Sequence, residues 1–99
     1  MVKTVHDIAV KVVGWDAPGA MSAVFEAIGG GQGNVTTVAT RSRDDGRLEL
    51  DLTIRCPKVV DIEKLSQAIL RLDAVSLVQY AAPAGGGTFA KPVGRRRRF

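Results

Sequence analysis

Leu48-Glu49-Leu50-Asp51-Leu52-Thr53-Ile54-Arg55 alternates apolar and polar residues without a break. A period of two over eight residues predicts a β-strand with one buried and one solvated face. Upstream, Arg43-Asp44-Asp45-Gly46-Arg47 supplies an Asp-Gly turn, and Val35 to Ser42 is rich in the β-branched residues that strands favour. These two segments read as an antiparallel hairpin. On the far side of the hairpin's first strand, Met21, Val24, Phe25 and Ile28 recur at helical spacing. On the far side of its second strand, Ile62, Leu65, Ile69 and Leu72 do the same within Asp61 to Leu72.

Two further strands complete the pattern. Val5 to Val13 places His6, Ile8, Val10 and Val12 on one face, and Val75 to Ala81 follows the second helix. The order is β-α-β-β-α-β. Two amphipathic helices need an apolar surface to cover, and right-handed crossovers put both on one face of a sheet. The expected fold class is therefore α+β: a ferredoxin-like sandwich with a four-stranded antiparallel sheet and two helices on one face. Asp16 is the expected N-cap of the first helix, with Pro18 in its first turn. Gly29-Gly30-Gly31 is expected to stop that helix.

Ninety-nine residues make one domain. The charge of +4 comes from the tail, because Arg95 to Arg98 stand together, while residues 1–81 hold nine basic and ten acidic side chains. Residues 1–82 are thus read as the folded domain and 83–99 as a flexible tail, since Pro83-Ala84-Gly85-Gly86-Gly87 is linker-like and the chain ends in an arginine cluster. Cys56 is the single cysteine, which fits a reducing compartment and reads as a small buried thiol. No apolar run approaches the ~20 residues of a membrane span, and no secretory leader stands at the start, so a cytoplasmic location is the default expectation.

The segment Asp16-Ala17-Pro18-Gly19-Ala20, then Gly33-Asn34-Val35 opening the second strand, resembles the ACT domain, as does the junction Leu72-Asp73-Ala74-Val75. The likeness covers residues 4 to 81. Val24-Phe25 is similar to the aspartokinase regulatory branch, and Asp51 to Val78 with Gly87-Thr88-Phe89 to the branch associated with malic enzymes. The run Gly29 to Gly33 is richer in glycine than the family's usual pattern, which implies a longer or looser loop. The resemblance implies a small-molecule ligand, an amino acid, held between paired copies. It also implies a homodimer and a metabolic enzyme as possible partner, with neither a cofactor nor catalysis by the chain itself.

The expected ligand-binding residues are Asp16, Ala17, Gly19, Ala20, Asn34 and Val35. Their chemistry suits the task. Gly19 lets a ligand approach the backbone N–H groups that open the first helix, and those groups with the helix dipole attract a carboxylate. Asp16 can accept from an α-ammonium, and Asn34 can both donate and accept. The alternative, that Asp16 caps the helix and Asn34 relieves a turn, is compatible with this. Trp15 either walls the binding loop or covers the end of the core.

Other functions have less in the sequence to support them. An RNA-recognition domain shares the element order but needs aromatics on the solvated face of its central strands, where this chain has Asp7, Ala9, Lys11, Glu49, Asp51, Thr53 and Arg55. Only the arginine tail could hold phosphates, so nucleic acid is not the expected partner; a non-catalytic dimerisation or tail-based RNA-binding module is the alternative function. An enzyme would need a convergent acid–base set, and there is one His with one Cys. The glycine run follows a helix and precedes no Lys-Ser/Thr pair, so it is no phosphate loop.

Overall fold

The computed structural model describes residues 6–16, 18–30, 33–56, 60–82 and 85–91, with backbone alone at 60, 61 and 82. The elements run β1 (His6–Trp15), α1 (Ala20–Gly30), β2 (Asn34–Ser42), β3 (Arg47–Cys56), α2 (Val60–Leu70), β4 (Val75–Ala82) and β5 (Gly85–Ala90). The sheet order is β2-β3-β1-β4-β5, every neighbouring pair antiparallel. The α+β architecture with two helices is as expected. The strand count is not: the sheet has five strands, not four.

Residues 85–90 were read as linker, and they pair with β4 from Leu77↔Ala90 to Ala82↔Gly85. Their glycines are what permit the pairing. A Cβ on Gly87 would lie 2.7–2.9 Å from the Tyr80 ring, and one on Gly86 would meet the Tyr80 carbonyl oxygen. The bare backbone thus leaves room for Tyr80, whose ring stacks on Phe89 with centroids 6.1 Å apart. Beyond the strand, the Lys91 ammonium donates to the Leu72 carbonyl at 2.6 Å and its backbone N–H to Ser76 at 3.0 Å. Arg95 to Arg98 lie outside the described residues.

One core joins the layers. Ile8, Val10 and Val12 of β1 and Leu50, Leu52, Ile54 and Cys56 of β3 meet Val24 and Ile28 of α1 and Ile62, Leu65 and Ile69 of α2. Each large side chain removed from water there contributes about 2 kcal/mol. Gly33 has no room for a Cβ, which would fall 2.9 Å from Ile28, Ile54 and Leu65; its N–H closes the end of α1 on the Ile28 carbonyl at 3.0 Å. The hairpin turn also follows its sequence: Gly46 has φ +82°, and Asp45 accepts from the Arg47 N–H at 3.1 Å. Helix α1 starts at Ala20, and its cap differs from the expected one. The Gly19 carbonyl accepts the first helical bond, from Ala23 at 3.0 Å, so Gly19 and not Asp16 occupies the cap position, and Pro18 lies before the helix.

Candidate functional site

The turn between β1 and α1 is built by hydrogen bonds at its strand end. The Trp15 N–H donates to the Ala74 carbonyl at 2.8 Å and the Asp16 N–H to the Gly46 carbonyl at 3.4 Å. The turn is thereby tied to both the α2–β4 connection and the β2–β3 hairpin. Gly14 lets β1 come this close, since a Cβ there would sit 2.5 Å from the Ala74 oxygen. Asp16 and Gly19 are exposed, and Gly19 adopts φ +78° with nothing within 4 Å of where its Cβ would be. The backbone there is left-handed, and the space where a side chain of residue 19 would stand is open. Ala20 is the first residue of α1. Ala17 lies outside the described residues.

Asn34 and Val35 sit elsewhere. Asn34 pairs with Arg55, which pairs with Asp7 near the start of β1, whereas the turn follows Trp15 at its end. About nine residues of strand separate the two, or ~30 Å at 3.3 Å per residue. One chain therefore brings Asp16, Gly19 and Ala20 together and holds Asn34 and Val35 at the opposite end of the sheet. Asn34 is exposed at that end, beside a bidentate pair in which Arg55 donates to Asp7 at 2.8 and 3.3 Å. The hydrogen bonds from Arg55 hold the Asp7 carboxyl below the usual aspartate range and raise Arg55 in turn.

Trp15 and Arg47 belong to the turn's surroundings, and only Trp15 was singled out in the sequence. The Trp15 side chain is 49% exposed, and the Arg47 guanidinium carbon lies 5.0 Å from its ring centroid. The two residues are directly paired across β1 and β3. Counting the alternation of β3 back from Leu48 against that of β1 was the signal available for this pair. Beneath the turn lies an apolar recess of about 20 Å³. A larger depression, about 450 Å³, covers the helix-free face of the sheet over Ala9, Thr37, Ala39, Thr53 and Ala81. Lys11, Asp51, Gln79 and Tyr80 also line it. No His, Cys, Asp or Glu cluster that could hold a metal ion occurs among the described residues, and no described helix is long and apolar enough to cross a membrane.

The ACT domain model matches residues 3–79, most of the chain. The chain belongs to the ACT domain family. Solved structures agree on the fold. The ACT domain of GTP pyrophosphokinase from Chlorobium tepidum superposes with a TM-score of 0.68 at 19% identity, covering 78% of this chain and 99% of that one. The C-terminal domain of the MgtC protein from Mycobacterium tuberculosis gives 0.65 at 15% identity, covering 83% and 92%. A homoserine dehydrogenase from Thiobacillus denitrificans gives 0.63 at 9% identity over 89% of this chain, which matches only 18% of the enzyme. No curated protein sequence matches significantly. ACT domains are generally regulatory, ligand-binding domains, and β5 of this one begins after the family match ends at residue 79.

Proposed function

We propose that this ACT domain is a regulatory module that binds an amino acid as a homodimer, with the ligand at the β1–α1 turn near the subunit interface. One observation supports it above the rest. Asp16 and Gly19 lie at one end of the sheet and Asn34 at the other, while β2, which carries Asn34, is a bare edge. Antiparallel pairing of two β2 strands about a twofold axis near Val38 sets Asn34 of the partner subunit opposite Ser42, at the end where the turn lies. Three strand spacings, ~14 Å, then separate Asn34 of the partner subunit from the end of β1, a gap that an amino acid and the flanking side chains span.

In this arrangement the N–H groups opening α1 face the ligand carboxylate, Asp16 accepts from the α-ammonium, and Asn34 of the partner subunit closes the site. Regulation follows from linkage: a ligand that touches both copies stabilises the dimer geometry in which both contacts form, and an enzyme joined to or partnered by the domain would read that geometry. Calorimetry of the folded dimer against the twenty amino acids at millimolar concentration tests the reading. Saturable heat with one or a few of them is the expected result; a folded dimer giving none would overturn it.

A further inference from the structure

The depression on the helix-free face follows from strand register. Ala9 pairs with Thr53 and Ala81, Thr53 pairs with Thr37, and Ala81 pairs with Gly86. One small residue from each strand thus lines a furrow that crosses the whole sheet. The Thr37 hydroxyl donates to the Thr53 hydroxyl at 2.8 Å, so these two partner each other. Longer side chains stand on both sides, two residues further along each strand. Toward the β2–β3 hairpin, Asp51, Lys11 and Gln79 form a ridge in mutual register. On the other side, Asp7 and Arg55 are held by their bidentate pair. Asp51 is half-buried and makes no ion pair among the described residues. Lys11 reaches Glu49 only at 3.7 Å, with 43% of its side chain exposed.

We infer that this ridged face docks on the same face of another copy, joining two edge-paired dimers into a tetramer. The inference rests on the edge pairing through β2 proposed above. A twofold axis parallel to the sheet, crossing the strands midway between furrow and ridge, sets each ridge in the other copy's furrow. Lys11 then lies over Ala9 of the partner subunit, and Asp51 over Thr53 of the partner subunit. Each meets an unlike charge one row further on: Lys11 meets Asp7 of the partner subunit, and Asp51 meets Arg55 of the partner subunit. The guanidinium of Arg55 of the partner subunit also falls over Glu49, one of whose carboxylate oxygens is buried without a hydrogen bond. The face is complementary to itself in shape and in charge. On β2 that axis passes at Val38, between Thr37 in the furrow and Ala39 in the row of the ridge. The twofold of the proposed edge dimer stands at the same level, so the two axes intersect and four chains close the assembly.

Area explains why the face contact needs the edge contact. Five strands ~4.8 Å apart, over the ~17 Å of strand from Asp7 to Lys11, give one chain roughly 400 Å² of face. A stable interface takes about 800 Å² from each partner. The edge twofold is perpendicular to the sheet, so both faces of an edge dimer point the same way and together supply that area. Chains separated by Val38→Lys should therefore not pair through this face.

Sedimentation of the intact protein over a rising concentration series tests the contact. Dimer should give way to tetramer, and added salt should move that step to higher concentration. Ala9 is exposed, and Ala9→Arg fills the furrow beneath Lys11 of the partner subunit. Assembly of that variant should halt at the dimer, with its circular dichroism and its heat of amino-acid binding unchanged. Lys11→Glu sets a carboxylate beside Asp7 of the partner subunit and should weaken the tetramer at least tenfold. A parent protein that stays dimeric at every concentration would overturn the face contact and leave the edge dimer standing, its face open to some other partner. A tetramer that survives Ala9→Arg would overturn it equally. A parent protein that is monomeric throughout would overturn the face contact and the proposed dimer together.

Discussion

The two edges of the sheet are finished differently. On one side β5 covers β4, with Gly87 lying under the Tyr80 ring and Phe89 stacked on it. On the other, β2 has no neighbour beyond β3 in the described chain, all but one of its nine residues are exposed, and Val38 is 46% exposed at its centre. Natural edge strands are usually blunted by Pro, by Lys or by a covering element. β2 has no Pro, no Lys and no covering element among the described residues; the blunting features it does carry are Arg41 and the bulge between Val35 and Thr37. Among the described residues the chain satisfies one edge from within and leaves the other open, and that open edge is the one the proposed dimer would use.

Breaking the covered edge should have the largest effect on stability. Phe89→Ala removes the stack on Tyr80 and half-buried apolar area over β4, and should lower unfolding free energy by about 2 kcal/mol in urea denaturation. An unchanged midpoint would mean that β5 adds nothing to the fold. Breaking the bare edge should act on assembly instead. Val38→Lys places a charge on the twofold axis, so sedimentation should show a monomer whose own unfolding free energy moves by less than about 0.5 kcal/mol. A dimer persisting in that variant would locate the interface on another surface.

The smallest effect belongs to the Asp7–Arg55 pair, beside Asn34. The folded carboxyl of Asp7 is held below its ordinary value by Arg55. A depressed carboxylate stabilises the fold above the unfolded pKa, and that share is lost as pH falls through the lowered folded value. Both side chains are exposed to solvent, so the share is small and screened by salt. Arg55→Gln should therefore flatten the acid limb of the stability profile slightly and leave neutral pH behaviour close to the parent. An acid limb identical in the two proteins would show that the pair contributes nothing there.

The contrast between edges also explains what the sequence made legible. β3 declared itself because each of its residues answers a local question: Leu50, Leu52 and Ile54 go in, and Glu49, Asp51 and Arg55 go out. β5 gave no such cue. Gly85, Gly86 and Gly87 carry no propensity for a strand, and what makes them one is the Tyr80 ring and the bond from Lys91 to Leu72, partners remote in sequence. At the candidate site, the turn chemistry of Asp16 to Gly19 was legible for the same local reason. The distance to Asn34 was not, because it depends on α1 running back along β1, so that β2 begins beside Asp7 and Arg55. Val13 shows the same limit: alternation places it opposite the Val10 and Val12 face, and between Glu49 and Leu77 it is buried as well.

The central claim is that each ligand site takes its turn from one copy and its asparagine from the other, and mixing two inactive variants tests it. Asp16→Ala and Asn34→Ala each remove one half of every site, so neither homodimer should bind the amino acid that the calorimetric panel identifies. Unfolded and refolded together, they form heterodimers in which one site pairs an intact Asp16 with an intact Asn34, and titration should recover about one site per heterodimer. Heterodimers that bind no better than either parent would contradict a shared site.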